Sequence, residues 1–308
     1  MSGRLTVIAS FMQDVNLAIP RSPLAGETMF ADGLVLSAGG KGSNQSVQAA
    51  RCGAKVSVIA AVGQDGGGDG ALGVWQGEGI DTRHVARIEG AATGTAIILV
   101  DPTGENRIII AAGANSALAP SHADVAKAAI TGADLVIAQL ETPLPTVERA
   151  FAIARAAGVP TLINTAPAPD SLPDSLWQLT DYVVSNRIEA SQLTGLPEAT
   201  ALEDLGRALK AKVGKAAILT AGAEGAIAID ASGTVIRQSA APAKVVDTTG
   251  AGDAFIGALS AALVAGKPLA EAMKNGVAAG ALACEGRGVV PSLARQDAID
   301  TRKALLPA

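Results

Sequence analysis

The sequence predicts an α/β fold in which a doubly wound, mostly parallel sheet is flanked by helices and carries a small β-sheet lid. From residue 121 onward, short apolar segments alternate with helical segments, which is typical of parallel strands covered on both faces. Hydrophobic residues make up 49% of the 308 residues, enough for a sizeable core. Residues 15–38 and 93–112 contain extended pieces with little helical periodicity, and we expect them to form the lid of one domain spanning residues 1–308.

The composition favours small-molecule ligands over nucleic acid or membrane. The formal net charge is −5, and no block of Lys and Arg supplies the basic surface that nucleic acid requires. The longest uncharged helical run, residues 254–266, is shorter than the roughly 20 residues that cross a bilayer. The first residues lead into a strand rather than a signal sequence, so we expect a cytoplasmic protein.

Cysteine and histidine usage argues against redox, zinc and Ser/His chemistry. Cys52 and Cys284 are far apart and form no Cys-x-x-Cys pair, which predicts reduced thiols. His84 and His122 stand beside turn or helix-start signals without a partner at metal-ligand spacing. We expect both histidines at the surface.

The first candidate ligand segment follows a short apolar strand over residues 5–9. The strand leads into Asp14, and because open α/β sheets bind ligands at strand ends, Asp14 is a candidate contact. The alternative is that Asp14 caps a turn.

A glycine-rich segment, residues 39–45 (GGKGSNQ), opens a helix predicted over 43–52. Its glycines allow a ligand to approach the backbone, while Lys41 and Asn44 offer an ammonium and an amide. The segment is not a Walker A loop, because Val35 and Gly42 stand where that motif needs Gly and Ser or Thr.

The middle of the chain alternates strands and helices. A strand over 56–62 is followed by a helix that ends near residue 77, and residues 95–100 and 107–111 read as a hairpin. Further strands are predicted over residues 134–140, 160–163 and 182–184. Glu141, Asn186 and Glu189 follow such strands and are candidate ligand contacts, although Asn186 also suits a helix N-cap.

Near the carboxyl end, strands over 216–220 and 226–229 flank a glycine-bearing turn at 221–225. The turn is suited to a nucleotide's phosphates or base, or it is an ordinary hairpin. Residues 234–237 predict an antiparallel edge. The last helices are predicted over 269–283 and 292–306.

Residues 245–255 (VVDTTGAGDAF) carry the strongest chemical signal. Val245 and Val246 are expected to end a strand, and a helix is predicted over 254–265. Gly250 and Gly252 let the intervening backbone point several N–H groups one way, at a helix end that favours anions. Asp253 on the edge of this cradle would face an approaching hydroxyl, as phosphoryl transfer requires. The alternative is that Asp253 is only an N-cap.

Together these segments resemble the ribokinase family of carbohydrate and nucleoside kinases over nearly the whole chain. The most specific pieces are GGKGSN at 39–44 and DTTGAGD at 247–253. The supporting pieces occur in the family's order: PLAGE at 23–27, TG at 93–94, GAN at 113–115, QLE at 139–141, NTAP at 164–167, NRIE at 186–189 and GVVPS at 288–292. The resemblance implies an ATP-dependent kinase that phosphorylates a primary hydroxyl of a small sugar, with D-ribose as the first candidate substrate. It also implies that the lid covers the sugar and forms the contact between the two subunits of a homodimer.

The resemblance also implies roles for individual residues. Asp253 would be the catalytic base beside the turn formed by Gly250, Ala251 and Gly252. The sugar would contact Asp14, Gly40, Lys41, Asn44, Glu141 and Asp253. ATP would contact Asn186, Thr220, Gly222, Gly225, Gly252 and Asp253, with Asn186 and Glu189 ordering Mg²⁺ through water. K⁺ would be held by Asp247, Thr249, Ala283, Gly286, Gly288 and Ser292.

One position departs from the family's ribose-binding pattern. The family's Gly-Ser-x-Asn-x-Asp corresponds here to Ala9-Ser-Phe-Met-Gln-Asp14, so Met12 stands where an amide would bind a sugar hydroxyl. Methionine offers only a weak acceptor and an adaptable apolar surface. Another pentose, a hexose or a nucleoside therefore remains an alternative substrate, and a non-catalytic sugar- or nucleotide-binding regulator is the alternative of another class.

Overall fold

Nine strands form the central sheet in this computed structural model, which describes residues 3–103 and 105–306. In chain order they are β1 (Arg4–Ile8), β4 (Lys55–Gly63), β5 (Asp81–Ile88), β8 (Leu135–Ala138), β9 (Thr161–Asn164), β10 (Tyr182–Asn186), β11 (Ala216–Thr220), β12 (Ala226–Ile229) and β13 (Val235–Gln238). Their order across the sheet is β13-β12-β11-β10-β9-β8-β1-β4-β5. All neighbours pair in parallel except β11–β12 and β12–β13, which confirms the predicted parallel sheet and its antiparallel edge.

Helices cover both faces of this sheet. They are α1 (Lys41–Arg51), α2 (Gly66–Gly77), α3 (Pro120–Val125), α4 (Lys127–Thr131), α5 (Leu144–Ala156), α6 (Asp174–Gln178), α7 (Arg187–Thr194), α8 (Leu202–Lys210), α9 (Ala251–Val264), α10 (Leu269–Ala283), α11 (Val289–Ser292) and α12 (Gln296–Lys303). Residues of α1, α2, α9 and α10 belong to the cluster that contains Leu5 and Val7 of β1, whereas residues of α5 and α8 belong to the cluster that contains Ile8. Successive strand residues thus point into two separate cores.

The lid is a second sheet made from two distant parts of the chain. Its strands are β2 (Met12–Ala18), β3 (Gly33–Gly39), β6 (Thr95–Val100) and β7 (Asn106–Ala111), in the order β3-β2-β6-β7. The central pair, β2 and β6, is parallel, and the outer pairs are antiparallel. The predicted lid segments do join one sheet. Gly104, in the predicted turn between β6 and β7, lies outside the described residues.

The first lid strand begins earlier than the sequence indicated. We expected Asp14 at the end of the first central strand, but β1 ends at Ile8 and Asp14 lies within the lid strand β2. Two glycines allow the crossing from core to lid. Gly40 has φ +88°, and a Cβ there would come 2.8 Å from the Met12 nitrogen. A Cβ at Gly94 would come 2.7 Å from the Phe11 carbonyl oxygen, so bulkier residues would force the lid away.

Strand β5 was not predicted, and one histidine expectation changes with it. Charged residues interrupt its apolar positions, as expected for an edge strand. His84 lies within this strand rather than beside a turn, and it is partly buried, as is His122.

Two predictions near the carboxyl end were wrong. Val245 and Val246 end no strand: β13 stops at Gln238, and both valines are substantially exposed in a loop. The helix predicted over 292–306 is shorter: α12 spans Gln296–Lys303, whereas Ser292 ends the short helix α11 and Leu293 is extended. Arg51 of α1 donates to the carbonyl oxygens of Val290 and Leu293. Its guanidinium thus bonds backbone oxygens that would accept hydrogen bonds from N–H groups in a continuous helix. None of the helices in the described ranges has the length and apolar character needed to cross a bilayer.

Candidate active site

The candidate site lies where the order of the parallel strands reverses direction. Strand β1 is central, with β4 on one side and β8 on the other. The segments that follow β1 and β8 carry Ser10 and Glu141, and the Ser10 hydroxyl donates to Glu141 at 2.6 Å. Crevices of this kind, at the carboxyl ends of parallel strands, are where open α/β sheets bind ligands.

Helix α9 presents Asp253 to this crevice from its first turn. The helix begins at Ala251, three residues before the predicted start, and its N-cap is Gly250 with φ +79°. The suggestion that Asp253 is the N-cap is therefore wrong. A Cβ at Gly250 would overlap the Val289 side chain, so this turn needs glycine for both space and backbone conformation. Within the described residues, the N–H groups of Gly252 and Asp253 make no hydrogen bond, as is usual at helix starts.

Two neighbouring amides of α1 hold the Asp253 carboxylate. Asn44 Nδ2 donates to Asp253 Oδ2 at 2.9 Å, and Gln45 Nε2 donates to Asp253 Oδ1 at 3.0 Å. Asp253 is only 7% exposed, so its charge depends on these donors rather than on water. The contacts place the glycine-rich start of α1 beside the start of α9, so Asn44 and Asp253, both expected to contact the sugar, lie side by side.

Lys41 and Glu141 add opposite charges to the same crevice. The Lys41 backbone N–H donates to Glu141 Oε2 at 2.8 Å. Burial raises the pKa of Glu141 above its ordinary value, against the opposing effects of Ser10 and Lys41. Burial acts to lower the pKa of Lys41, but Asp253, Glu141 and Glu189 act the other way and leave it raised. The ammonium therefore stays charged among carboxylates.

Asp14 reaches this crevice from the lid. Its burial and the nearby Glu141 charge raise the pKa of Asp14 from 3.8 to about 6. A Cβ at Gly39 would overlap the Asp14 carboxylate, so the glycine leaves room for the acid. The crevice thus combines acceptors from the core and the lid, which suits a ligand with several hydroxyl groups.

Met12 is almost fully buried next to the crevice, on the same face of β2 as Asp14. The side chain is 3% exposed, and its sulfur lies 3.7 Å from Asn115 Nδ2. Asn115 also accepts from the Phe11 N–H at 3.0 Å and donates to the Phe11 carbonyl at 2.8 Å. Asn115 therefore fixes the backbone that carries Met12, a role that the sequence did not reveal.

A cavity of about 580 Å³ opens on the other side of the α9 start. It brings together four residues expected to contact nucleotide: Thr220, Gly222, Gly225 and Gly252. The glycine turn is both a hairpin between β11 and β12 and a wall of this cavity. Asn186 is paired in register with Thr220 at the same sheet edge, although it does not line the cavity.

The opposite wall of the cavity was missed in the sequence. It comes from the loop after β13, including Pro242 and Val245, and from four positions of α10 and its end: Val277, Gly280, Ala281 and Cys284. These four are spaced i, i+3, i+4 and i+7, so they share one helix face. The signal was present as a stripe of small residues facing the misassigned Val245 segment. Together these residues give the cavity a mostly apolar wall.

Asn186 and Glu189 form a capping box at the start of α7. Asn186 Oδ1 accepts from the Glu189 N–H at 2.9 Å, and Glu189 Oε2 accepts from the Asn186 N–H at 3.1 Å. The Thr165 hydroxyl also donates to Glu189 Oε2 at 2.8 Å. The N-cap alternative for Asn186 is thus present. Because Asn186 Nδ2 also donates to Glu189 Oε1 at 2.7 Å, one acceptor site of the carboxylate is left, on Oε1, and it suits a water molecule around Mg²⁺.

The residues expected to hold K⁺ lie in two segments joined by hydrogen bonds: the loop of Asp247 and Thr249, and the segment that runs from Ala283 at the end of α10 to Ser292 at the end of α11. The Cys284 carbonyl accepts from the N–H groups of Val246 at 2.8 Å and Asp247 at 3.2 Å. Asp247 Oδ1 accepts from the Thr249 hydroxyl at 2.7 Å. In the other segment the Ser292 hydroxyl donates to the Gly288 carbonyl at 2.7 Å. A carboxylate with several carbonyl and hydroxyl oxygens is a donor set that fits a hard cation.

Comparison with known proteins gives one consistent family. The model of the family described as pfkB family carbohydrate kinase matches residues 2–295. Ribokinase of Haemophilus influenzae is 36% identical, with 97% of this chain and 98% of that protein covered. Deoxyribokinase of Salmonella typhi is 34% identical, with 94% of each chain covered. The structure of Arabidopsis thaliana ribokinase complexed with ribose and ATP is similar with a TM-score of 0.93, 29% identity, and coverage of 98% of this chain and 99% of that one.

The raised pKa of Asp14 predicts how stability changes with pH. Its folded pKa of about 6 lies above the ordinary 3.8, so folding favours the protonated acid and ionisation costs stability as the pH rises through about 6. We expect Asp14→Asn to melt at a higher temperature than the parent at pH 7.5, with an advantage that shrinks as the pH falls from 6 toward 4. The exposed Asp32→Asn is the matched control. An Asp14→Asn protein that melts no higher than the parent at pH 7.5 contradicts the expectation.

Proposed function

Because the chain belongs to the pfkB family of carbohydrate kinases, we propose that it transfers the γ-phosphoryl group of ATP to the primary hydroxyl of D-ribose, forming ribose 5-phosphate. The observation that carries the proposal is the position of Asp253. Its carboxylate faces the crevice of Asp14, Lys41 and Glu141, while the preceding Gly252 lines the 580 Å³ cavity. A sugar on one side and a nucleotide on the other would meet at the start of α9.

The site residues divide the reaction between them. The sugar hydroxyl oxygen attacks the γ-phosphorus, its proton passes to the Asp253 carboxylate, and the bond from that phosphorus to the ADP oxygen breaks. The N–H groups of Gly252 and Asp253 and the helix dipole of α9 stabilise negative charge on the transferred group. Lys41 adds a fixed positive charge. Asp14 and Glu141 accept hydrogen bonds from other sugar hydroxyls and orient the sugar.

Two cations complete the proposal. Mg²⁺ would neutralise phosphate charge, with Asn186 and Glu189 ordering its waters. Asp247 and Thr249 on one segment, and Ala283, Gly286, Gly288 and Ser292 on the other, would hold K⁺, which would add positive charge beside the anion cradle. We place the reaction in the cytoplasm, where ATP is supplied and where Cys52 and Cys284, both unpaired, stay reduced.

The lid has an apolar outer face that supports dimerisation. Residues that pair directly across neighbouring strands point to the same face of the sheet. One face of the lid therefore carries the apolar residues Val15, Leu17, Leu34, Leu36, Ile97, Leu99 and Ile109. Leu34, Leu36 and Ile109 are each about 60% exposed. Asp14 lies on the other face, toward the sugar site. We therefore propose that the outer face packs against the lid of a second copy.

A second candidate function is phosphorylation of 2-deoxyribose. Met12 is the observation that favours it, because a buried thioether offers a sugar hydroxyl only a weak acceptor and no strong donor. A pocket that makes no hydrogen bond to a hydroxyl discriminates weakly against a sugar that lacks it. The deoxyribokinase among the relatives adds a reason to compare these two sugars directly.

We predict that Asp253→Asn nearly abolishes turnover. A base placed on the attacking hydroxyl contributes about 10² to 10⁴ in rate, and asparagine cannot accept the proton. The measurement is steady-state kcat with ribose, together with calorimetric binding of ATP, which should be largely unchanged. Turnover near that of the parent would remove Asp253 from the reaction.

We predict that Met12→Asn shifts preference toward ribose over 2-deoxyribose by about 1 to 3 kcal/mol, if the new amide reaches the extra hydroxyl. The parent should use the two sugars with similar kcat/KM or prefer the deoxy sugar. The ratio of kcat/KM values in each protein cancels differences in active fraction. Met12→Leu, which adds no amide, should keep the parent ratio. A parent that strongly prefers ribose, with a ratio that Met12→Asn does not move, would show that residue 12 does not select the sugar.

We predict that K⁺ raises activity and that Na⁺ has little effect, at fixed Mg²⁺ and ionic strength. Asp247→Asn should reduce the activation, because the loop then loses the only charge it contributes to the proposed cation site. The measurement is kcat as a function of added KCl or NaCl. Equal rates in both salts would mean that these segments bind no activating cation.

We predict a homodimer at micromolar concentration and a monomer for Ile109→Glu, because a charge in the outer lid face cannot be buried without a partner. Val125→Glu, at an exposed position of α3 outside the lid, is the matched control. Light scattering after size exclusion gives the mass of each protein. A monomeric parent, or an Ile109→Glu protein that stays dimeric, would remove the lid from the interface.

A further inference from the structure

Behind Asp253 lies a set of buried amides that the proposed reaction does not use. Gln45, Gln139 and Asn164 are 0%, 1% and 5% exposed. Gln45 Nε2 donates to Asp253 Oδ1 at 3.0 Å and to Asn164 Oδ1 at 3.2 Å, and Gln45 Oε1 accepts from Gln139 Nε2 at 2.7 Å. The three side chains link Asp253 to the central sheet.

The bonding pattern permits one orientation of the Gln45 amide. Both hydrogens of its NH₂ group have an acceptor, and its oxygen faces a donor. A flipped amide would place its oxygen against the Asp253 carboxylate and the Asn164 oxygen, with no hydrogen between them. Asn164 is oriented in turn, because its Nδ2 donates to the Val184 carbonyl of β10 at 3.2 Å.

The anchors of this network are ends of strands. Asn164 is the last residue of β9, and Gln139 directly follows β8. Strands of a buried sheet are among the most rigid parts of a protein, whereas the turn before α9 is a glycine-bearing loop. The amides therefore fix the position of one Asp253 carboxylate oxygen relative to the sheet rather than relative to the loop.

We propose that Gln45 is a positioning residue for Asp253, holding Oδ1 in a fixed direction so that the carboxylate meets the attacking hydroxyl in one orientation. The proposal rests on the role of Asp253 as the base. Asn44 holds the other oxygen, but Asn44 is also expected to contact the sugar, so only Gln45 is free to serve position alone. Misplacing a reacting group by about 1 Å costs about 10²-fold in rate.

The same helix supplies a matched control. Gln48 lies three residues further along α1, is also 0% exposed, and also uses both ends of its amide. Its Nε2 donates to the Ala294 carbonyl at 2.8 Å, and its Oε1 accepts from the Ala294 N–H at 3.2 Å. Gln48 ties α1 to the break between α11 and α12 and does not contact Asp253.

The experiment compares Gln45→Met with Gln48→Met. Both should lose stability to a similar extent, since each loses a buried amide, but only Gln45→Met should lose kcat, by about 10- to 100-fold, with KM for ATP within about twofold of the parent. Equal kcat in the two variants would overturn the proposal.

A second variant covers the case in which Gln45→Met does not fold. Gln139→Met removes the donor that orients Gln45 and leaves Asp253 untouched, and it should lower kcat more than Gln48→Met does; an equal effect would overturn the proposal. Asp253→Asn distinguishes failure of the proposed function from failure of the positioning role of Gln45. If Asp253→Asn is active, the proposed function fails. If Asp253→Asn is inactive while both Gln variants match Gln48→Met, only the positioning role fails.

Discussion

A buried carboxylate must have hydrogen-bond donors, and this constraint at Asp253 organises the centre of the protein. Because Asp253 is almost inaccessible to water, its charge requires the amides of Asn44 and Gln45. Those amides come from α1, so the start of α1 must lie against the start of α9. The two glycine-bearing turns that precede the helices then face one crevice, and the sheet supplies the third side.

The lid imposes a second constraint, which is one of space. Backbone from the lid passes so close to the core at Gly40 and Gly94 that no side chain fits there. These contacts bring Asp14 near the core carboxylate Glu141, and burial together with the charge of Glu141 raises the pKa of Asp14 to about 6. Ionising Asp14 beside Glu141 therefore costs stability, and hydroxyl groups that donate to the two carboxylates would offset part of that cost.

Much of the fold could be predicted from the periodicity of apolar residues in the sequence, whereas only part of the candidate site could be predicted. Parallel strands, the lid and the 269–283 helix were predicted because apolar spacing and turn residues are local signals. Val245 and Val246 were wrongly predicted to end a strand because β-branched residues favour strands on average but also occur in exposed loops. Here Val245 lines the cavity opposite α10 instead of pairing in a sheet. Gln45, Asn115 and the α10 stripe were missed because their importance arises from contacts with residues far away in the chain.

The parallel pairing of β2 with β6 has a consequence for the order of folding. The central strands of the lid, β2 and β6, can pair only after the chain between them has brought them together. That intervening chain contains β4, α2 and β5 of the core. Such non-local pairing carries the loop-closure entropy of that whole segment, so the lid assembles late and gains little independent stability. Amide hydrogens of β3 and β7 should therefore exchange with solvent well before those of β1, and lid opening belongs among the small-scale unfolding motions of the native protein.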